Sequence, residues 1–417
     1  MKWLRRNVWR LLIAAGAAVL ALGYVPESHP ELGSILPRIS PILSLFGALA
    51  ARAWLGWLML LGIPLLVLSF FKGRFFCWHL CPMGFLSETA GRLNPWGKGL
   101  VKRVPPVNKV VALVIAVTAA CGYPLLIWLD PLCIFNGFFA VWREPFTWAA
   151  ATTGIGFVAI LVLSMIVPNV WCHRVCPLGG MQESIMLLAR RLHGASRTTR
   201  PTMSPRRAEA PAPSSLSAAA ASRRTVLAAI PAAAAGLVVK RAFGPDGCKA
   251  IRPPGADLAR INALCARCGN CMRACPYQLI QPDLGESGID GLFTPALRLR
   301  SRNIEQEQYC FQDCVACTQV CPTGALRPLT VEEKHATPIG LAVIDRKKCI
   351  AWEKKEYCAV CDEYCPYKAV KLVERNGVNC PIVDADKCRG CGACESNCPA
   401  EPLAIVVKPL SPGHRSA

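Results

Sequence analysis

Four groups of four cysteines lie between residues 265 and 398, and each group ends in Cys-Pro. Groups one and four follow the spacing Cys-x-x-Cys-x-x-Cys-x-x-x-Cys-Pro, and groups two and three keep its last three cysteines and its proline. A loop with thiolates two residues apart can supply three of the four ligands that an iron–sulfide cube needs. We therefore predict four [4Fe–4S] clusters with sixteen ligands: Cys265, Cys268, Cys271, Cys275, Cys310, Cys314, Cys317, Cys321, Cys349, Cys358, Cys361, Cys365, Cys388, Cys391, Cys394 and Cys398.

The fourth ligand of each cluster in a two-cluster ferredoxin is the Cys-Pro cysteine of the partner motif. With neighbouring groups paired, groups one and two form one module, and groups three and four form the other. The predicted ligand sets are Cys265, Cys268, Cys271 and Cys321 for cluster one; Cys310, Cys314, Cys317 and Cys275 for cluster two; Cys349, Cys358, Cys361 and Cys398 for cluster three; and Cys388, Cys391, Cys394 and Cys365 for cluster four.

Zinc sites and disulfides are the alternatives for so many cysteines. Two Cys-x-x-Cys pairs suit a tetrahedral zinc site, but zinc does not require three evenly spaced cysteines and a Cys-Pro, four times over. Cysteines two or three residues apart rarely form disulfides, because their Cβ atoms seldom reach the required geometry. The spacing therefore favours clusters. Four cysteines outside these groups and outside the repeat described next receive no predicted role: Cys121, Cys133, Cys248 and Cys380.

A second cysteine motif, Cys-x-x-x-Cys-Pro, occurs twice in the first half of the chain. The segments Phe76–Glu88 and Trp171–Glu183 align without a gap, which indicates an internal repeat. Brought together, the four cysteines could bind a further cluster or act as two redox-active dithiols, and buried structural thiols are the less favoured interpretation. His79 and His173 lie inside the motifs, either as contacts to a quinone or cluster or as interfacial imidazoles. The cysteines of this repeat are Cys77, Cys81, Cys172 and Cys176.

The first half of the chain is apolar and basic. Hydrophobic residues make up 53% of the chain, and the net charge is +17 for residues 1–240 but +3 for residues 241–417. Lys and Arg beside apolar stretches are typical of loops that flank membrane helices, whereas a nucleic-acid-binding domain would carry a basic stripe on its folded surface. We predict four membrane spans of about 20 residues. They are the N-terminal run that ends at Val25, and Trp54–Phe71, Val110–Leu129 and Trp148–Val167.

The two halves are joined by a segment rich in Arg, Pro, Ser and Ala, which predicts a disordered linker over residues 189–222. An Arg223-Arg224 pair follows, and then an apolar run over residues 225–239. This run is short for a membrane span and suits the core of a twin-arginine export signal. The alternative is a short anchor that leaves the cysteine-rich domain on the cytoplasmic side.

The predicted fold is therefore a membrane α-helical domain, with four helices as two repeated hairpins, followed by an α+β ferredoxin-like domain with two bicluster modules. The predicted domains are residues 1–188, 189–222, 223–241 and 242–417. No phosphate loop, GxGxxG turn or Cys-x-x-Cys-His motif is present, so no nucleotide, flavin or c-type haem is predicted. No catalytic acid–base residues are predicted either.

These motifs carry a resemblance to known families. The half with paired Cys-x-x-x-Cys-Pro motifs resembles NapH, a membrane ferredoxin-type subunit of periplasmic nitrate reductase systems, and is similar to MauN and to the membrane part of NosR. The part from Ser222 onward, with its Arg-Arg signal and four cluster motifs, resembles NapG and MauM. The chain thus looks like a fusion of the two types. It lacks the ferredoxin motifs that NapH-type proteins carry after their last span, and an Arg-rich linker stands in their place.

The resemblance implies an electron carrier in the cell inner membrane, with its ferredoxin domain on the periplasmic side. Electrons would pass from the quinol pool through the clusters to a periplasmic oxidoreductase or cytochrome, such as a nitrate reductase. Two alternatives stay open: a maturation factor for a metalloenzyme, and a ferredoxin relay that faces the cytoplasm. No nucleic-acid partner is expected.

Overall fold

The computed structural model describes residues 7–22, 34–53, 57–94, 105–142, 148–192, 250–288, 291–299, 309–375 and 377–410, with Pro231 and Ala234. These residues fall into two compact units. The first, the helical unit, draws on residues 1–19, 36–135 and 156–241. The second, the ferredoxin unit, draws on residues 20–35, 136–155 and 242–417. Nearly all of the predicted linker and the whole twin-arginine pair lie outside the described residues, and so does Cys248.

The helices at the predicted spans are shorter than membrane spans. The apolar stretches contain helices Val8–Leu22, Gly62–Lys72, Asn108–Ala120 and Ile155–Ile166, of 15, 11, 13 and 12 residues. A helix rises about 1.5 Å per residue, so even the longest covers roughly 22 Å of the about 30 Å of hydrocarbon in a bilayer. No helix among the described residues is both long and apolar enough to cross a membrane. The predicted membrane α-helical class and four spans are therefore wrong.

The same finding overturns the predicted location as a multi-pass protein of the cell inner membrane. The periplasmic side predicted for the ferredoxin domain rested on the Arg223-Arg224 segment, which lies outside the described residues. The physical reason for the short helices lies in local breaks. A 3₁₀ segment, Trp57–Leu61, precedes the helix at Gly62, and a turn with Gly122 at φ +82° follows the helix that ends at Ala120.

The first half of the chain, which supplies the helical unit, is almost entirely helical among the described residues. Its α-helices are α1 (Val8–Leu22), α2 (Ile35–Arg38), α3 (Gly47–Ala51), α4 (Gly62–Lys72), α5 (Phe75–His79), α6 (Pro82–Arg92), α7 (Asn108–Ala120), α8 (Pro131–Phe139), α9 (Trp148–Ala151), α10 (Ile155–Ile166) and α11 (Pro177–Leu192). Segments α9, the end of α8 and the start of α10 belong to the ferredoxin unit. The remaining turns include π-helical Ile42–Phe46 and Trp171–Val175, and 3₁₀ Trp57–Leu61, Ile127–Leu129, Ala140–Trp142 and Thr152–Gly154.

Helix α11 is the centre of the helical unit, where it packs against α7 and α4. Gly180 permits the close approach to α7, since a Cβ atom there would lie 2.2 Å from the carbonyl oxygen of Asn108. Ile115 and Leu178 are fully buried in this region. The prolines at the start of α6 and α11, Pro82 and Pro177, occupy the first helical position, where no backbone N–H is needed.

The ferredoxin unit consists of short elements connected by cysteine-containing loops. Its helices are α12 (Leu258–Leu264), α13 (Asn270–Ala274), α14 (Ala316–Gln319), α15 (Val331–Ala336), α16 (Val360–Glu363) and α17 (Ala393–Ser396), with a π-turn at Ile350–Lys354. Its strands are β1 (Ile280–Pro282), β2 (Pro295–Leu297), β3 (Leu341–Ile344), β4 (Val370–Arg375), β5 (Val378–Val383) and β6 (Ile405–Lys408).

The strands form three antiparallel pairs, β1 with β2, β3 with β6, and β4 with β5. Pairing of β3 with β6 joins the two ends of the second module, with Ala342 opposite Val407. The backbone N–H groups of Asp345 and Asp384 then donate to the carbonyls of Ala404 and Ala369, at the same point after β3 and after β5. Strands β3 and β5 thus end a few residues before the first cysteines of groups three and four.

Candidate metal centres

Four cavities in the ferredoxin unit are each lined by four cysteine side chains. Their volumes, counting the space at their mouths, are about 490, 320, 360 and 330 Å³. In every case three cysteines come from one group and the fourth is a Cys-Pro cysteine of the neighbouring group. The sets are Cys265, Cys268, Cys271 and Cys321; Cys275, Cys310, Cys314 and Cys317; Cys349, Cys358, Cys361 and Cys398; and Cys365, Cys388, Cys391 and Cys394.

These four sets coincide with the ligand sets expected from the exchange of Cys-Pro residues between motifs. We call the four sites centres one to four, in that order. The pKa shifts of the cysteines also indicate that the members of each set lie close together. The pKa of Cys271 is raised first by burial and then by Cys265, Cys268 and Cys321. The pKa of Cys317 is raised first by burial and then by Cys310, Cys275 and Cys314.

The thiol environment suits an iron–sulfur cluster. Burial raises the pKa of Cys265, Cys361 and Cys391 to about 12. Four such thiols in one cavity resist ionisation because each thiolate repels the others, and bound iron supplies the opposing positive charge. The donor set, four thiols around a cavity large enough for a cube, therefore fits a [4Fe–4S] cluster.

Backbone N–H groups also point at several of the sulfur atoms. The N–H of Arg267 donates to Cys265 Sγ at 3.4 Å, and that of Leu326 donates to Cys321 Sγ at 3.4 Å. At centre four, the N–H of Ala369 lies 3.3 Å from Cys365 Sγ. Such bonds stabilise negative charge on sulfur, which is the form that binds iron.

The centres follow one another through the ferredoxin unit. Centres one and two share the exchanged cysteines of the first module, and centres three and four share those of the second. The two modules meet where the N–H of Cys310, at centre two, donates to the carbonyl of Cys391, at centre four, at 2.9 Å. Cys310 also contributes to raising the pKa of Cys391. The spatial order is therefore one, two, four, three.

The helical unit brings together the other cysteine repeat. The pKa of Cys77 is raised first by burial and then by Cys176, Cys81 and Cys172. Cys81 and Cys176 are buried, and Cys77 and Cys172 are half-buried. The four thiols influence one another in one site, which we call the repeat centre. Its thiols suit either a cluster or two dithiols, as the sequence had left open.

The two motif copies share a backbone hydrogen bond at their second cysteine, although Phe75–His79 is α-helical and Trp171–Val175 is π-helical. The N–H of Cys81 donates to the carbonyl of Phe76 at 2.9 Å, and that of Cys176 donates to the carbonyl of Trp171, the aligned residue, at 2.8 Å. Each second cysteine precedes a helix. Its sulfur accepts a hydrogen bond from the N–H three residues later, that of Gly84 and Gly179 respectively.

Each motif also supplies a polar side chain to the other copy. The thiol of Cys77 donates to the side-chain oxygen of Gln182 at 3.4 Å, and the hydroxyl of Ser87, which hydrogen-bonds to that of Ser164 at 3.0 Å, opposes the rise in the pKa of Cys172. Positions 87 and 182 are aligned in the repeat. The two aligned side chains therefore each act on a cysteine of the other copy.

Aligned glutamates of the repeat form ion pairs beside the repeat centre. Glu88 pairs with Arg10 at 2.8 Å, and Glu183 pairs with Arg74 at 2.8 Å. Arg74 also donates to the carbonyl of Cys172 at 3.2 Å. Two arginines are thus fixed near a site where thiolates would concentrate negative charge.

Histidine positions in the motifs differ in their surroundings. His79 stacks on Phe75, with ring centroids 4.3 Å apart, and on Trp9 at 5.4 Å. Its Nδ1 lies 3.1 Å from the carbonyl oxygen of Phe75. The N–H of His173 donates to the carbonyl of Asn169 at 3.0 Å.

Outside the centres, the thiol of Cys380 is buried and donates to the carbonyl of Ala351 at 3.6 Å.

Three side chains near the centres were not predicted. Asn136 is fully buried and donates to the carbonyl of Cys268 at 2.6 Å. Tyr367 lines the cavity of centre four. Lys334 is buried beside Cys310, and the Thr330-x-x-Glu333 capping signature was the one sequence signal for its helix. No group of three or more His, Cys, Asp or Glu side chains within the described ranges has the arrangement for a single metal ion.

Comparisons with known sequence families agree with this chemistry. Residues 264–326 match a family described as a 4Fe-4S dicluster domain, and residues 381–400 match a 4Fe-4S binding domain. Residues 53–103 and 149–194, which contain the repeat, match another family described as a 4Fe-4S binding domain. No solved structure matches the chain.

Curated relatives match the ferredoxin part. The methylamine utilization ferredoxin-type protein MauM of Methylorubrum extorquens is 35% identical over 175 residues, which cover 40% of this chain and 75% of the relative. The ferredoxin-type protein NapG of Escherichia coli is 37% identical over 172 residues, covering 39% and 71%. NapF of Escherichia coli is 27% identical over 155 residues, covering 37% and 82%.

The reported relatives align with the ferredoxin part. The fusion with a NapH-like half therefore stays a prediction. The ferredoxin part is nonetheless covered over most of the relatives' own length, at more than 30% identity for MauM and NapG. The chain belongs to the family of ferredoxin-type iron–sulfur electron-transfer proteins that includes MauM and NapG.

Proposed function

We propose that this protein carries electrons from a quinol, through a series of iron–sulfur clusters, to a periplasmic oxidoreductase such as a nitrate reductase. The observation that carries the proposal is the set of four adjoining cavities, each lined by four cysteines. Clusters held in series transfer electrons without acid–base chemistry, in accord with the absence of a predicted catalytic constellation. The nitrate reductase comes from the resemblance to ferredoxin-type proteins of periplasmic nitrate reductase systems, and the relative MauM is named for methylamine utilization.

The proposal assigns the sixteen cysteines of centres one to four as ligands of four [4Fe–4S] clusters. When bound, each cluster supplies reversible one-electron chemistry. The protein's own residues hold the four thiolates, donate N–H groups to sulfur and keep water away. The order one, two, four, three then gives the route of the electrons through the ferredoxin unit, with Cys310 and Cys391 at the junction of the modules.

The repeat centre is proposed to bind a further cluster and to receive electrons from the quinol. Two observations support a cluster over two dithiols. The four thiols influence one another in one site, and the family matched over the repeat is described as 4Fe-4S binding. Arg10 and Arg74, held by Glu88 and Glu183, place positive charge close to that site.

Anaerobic mixing of the purified protein with a quinol analogue tests the electron donor. We expect the cluster absorbance to bleach in the wild type and to stay in Cys77→Ala, whose repeat centre lacks a ligand. Cys380→Ala is the matched control, because Cys380 is buried outside the centres. Quinol that leaves the wild-type absorbance unchanged, while dithionite bleaches it, would contradict quinol as donor.

Iron retention separates an electron carrier from a maturation factor. A carrier keeps its iron through repeated cycles of reduction and reoxidation, whereas a maturation factor loses iron as an acceptor apoprotein gains it. The measurement is iron per chain before and after many cycles, with and without an acceptor apoprotein. Transfer of iron at each cycle would contradict the carrier function.

A further inference from the structure

Lys334 is a buried lysine whose position is fixed by its own short helix. Helix α15 begins with a complete capping box, in which Thr330 and Glu333 bond to each other's backbone N–H. The glutamates of the first turn lie on the outer side, and Glu333 also approaches Arg327. Lys334, the next residue, therefore turns inward, and only 4% of its surface is exposed.

The Lys334 ammonium binds the backbone beside centre two. It donates to the carbonyl of Phe311 and to the carbonyl of Cys314, the latter at 2.6 Å. Cys314 is assigned to cluster two, and Phe311 lines the same cavity.

No carboxylate lies within ion-pair distance of Lys334 in the described part of the chain. A buried cation is costly unless an anion balances it. The nearest groups that can be negative are the thiols of centre two, and the charge of Lys334 opposes the rise in pKa of both Cys310 and Cys317. A negative charge at centre two would therefore stabilise the buried ammonium of Lys334.

We propose that Lys334 sets the reduction potential of cluster two and makes that cluster easier to reduce than it would be without the lysine. The inference rests on the proposed function, since it requires the clusters to be bound. Reduction adds one negative charge to a cluster. A buried ammonium bonded to the backbone of a ligand cysteine favours that charge, because the interaction is strong where water is excluded.

Different groups balance the negative charge expected at centres one and four. Centre one receives backbone N–H bonds and has Arg267 beside Cys265, and that arginine is half-exposed, so water screens its charge. Centre four receives backbone N–H bonds from Ala342 and Ala369. Among the described residues, Lys334 is a buried lysine whose ammonium bonds to the backbone of an assigned ligand, Cys314. Cluster two also adjoins the second module through Cys310. An electron on cluster two would therefore lie next to cluster four.

The test is a redox titration of the full-length, iron-loaded protein, followed by electron paramagnetic resonance. The Cys317→Ala variant identifies the signal of cluster two by its loss. In Lys334→Gln, we expect the ratio of reduced to oxidised cluster two at a fixed potential to fall at least about tenfold, or about 59 mV for one electron. The other clusters should change less than about twofold, because charge at a distance is screened.

Lys371→Gln is the matched control. Its side chain is 59% exposed and its ammonium pairs with Asp384 at 3.1 Å, so the same charge is removed from a solvated site. We expect no selective shift at cluster two. Lys334→Arg keeps the charge and should keep the wild-type potential of cluster two. This variant also provides a test if Lys334→Gln does not bind cluster two.

An unchanged potential of cluster two in a fully loaded Lys334→Gln variant would overturn the inference. So would equal shifts in the two Gln variants, or failure of both Lys334→Gln and Lys334→Arg to load cluster two, which would assign Lys334 to packing alone. A wild-type protein without iron or without paramagnetic signals would instead contradict the proposed function itself, and the two failures are thereby distinguished.

Discussion

A cysteine that precedes a proline in the ferredoxin unit lies with the cysteines of the neighbouring group and not with those of its own. Cys275 lines the cavity of Cys310, Cys314 and Cys317, and Cys321 lines that of Cys265. The proline ends the motif loop and directs the chain away from it, so the cysteine before it cannot turn back to its own group. A single substitution can therefore affect a cluster whose other ligands lie far along the chain.

We expect Cys275→Ala to lose cluster two and Cys271→Ala to lose cluster one, although the two residues are four positions apart. Both variants should lose about one quarter of the iron in the ferredoxin unit, so the comparison is matched in metal content. Electron paramagnetic resonance of the reduced proteins distinguishes the missing signals, with Cys317→Ala as the reference for cluster two. Identical spectra from Cys275→Ala and Cys271→Ala would contradict the exchange of ligands.

Asp130 is a fully buried carboxyl group in the helical unit. It accepts hydrogen bonds from the hydroxyl of Ser40 and from the N–H groups of Leu132 and Cys133, so it caps helix α8. Burial nevertheless outweighs these bonds and raises its pKa from 3.8 to about 6. An acid whose pKa is higher in the folded state costs stability when it ionises, and this cost develops as the pH rises from 3.8 to about 6.

Asp130→Asn should therefore be more stable than the wild type at pH 7, by about 3 kcal/mol in the free energy of unfolding. Asn keeps the capping ability but cannot ionise. The difference should shrink as the pH falls through 6 and should disappear below pH 4. Urea unfolding of both proteins at several pH values measures it. A difference that does not vary with pH would show that the carboxyl group is not the cause.

At the scale of elements, the sequence predicts the ferredoxin unit well and the helical unit poorly. Cysteine spacing is a geometric requirement of a bound cluster, so it predicts which four cysteines line each cavity. Hydropathy shows how apolar a stretch is, but it does not show where a helix begins or ends. The stretch Trp54–Phe71 is continuous in hydropathy, yet its α-helix begins only at Gly62. Lys334 shows the same limit, since burial of a lysine depends on contacts that the sequence does not display.

The segment over residues 136–155 is another element that the sequence did not place. It follows a predicted span, yet it belongs to the ferredoxin unit. Asn136 donates to the carbonyl of Cys268 at 2.6 Å and to Asn270 at 2.7 Å, and it accepts from Arg273 at 3.1 Å. Gly269 lies so close to Ala140 that a Cβ atom there would meet the alanine side chain at 2.6 Å. This segment therefore covers the loop of centre one.

Asn136→Ala should weaken the cover of centre one. The change leaves buried partners at Cys268, Asn270 and Arg273 without Asn136, at a cost of about 1–3 kcal/mol for each polar group left unsatisfied. We expect an iron chelator to remove cluster one several-fold faster than in the wild type, with the other clusters unaffected. Asn379→Ala, at an exposed asparagine of β5, is the control. Equal chelation rates for Asn136→Ala and the wild type would assign Asn136 no protective role.

At the scale of the whole molecule, the two units differ in what holds them together. The helical unit has α11 packed on α7 and α4, with fully buried apolar side chains such as Ile115 and Leu178. The ferredoxin unit has strand pairs of three to six residues, and many of its buried side chains are cysteines that line cavities. Small domains with so little apolar core depend on metals or disulfides for stability.

Removal of iron should therefore unfold the ferredoxin unit while α7 and α11 of the helical unit stay folded. Hydrogen exchange measured by mass spectrometry follows each unit separately. We expect the amides of β3 and β6 to lose protection after chelation under reducing conditions, and those of α7 and α11 to keep most of theirs. The N–H of Ala342 in β3 bonds to Cys388 Sγ at 3.5 Å, so loss of the cluster also releases this strand directly. Reconstitution with iron and sulfide is the control and should restore protection. Strands that stay protected without iron would mean that apolar packing alone supports the unit, and the cavities at the centres would then be features of a fold that exists before its clusters are inserted.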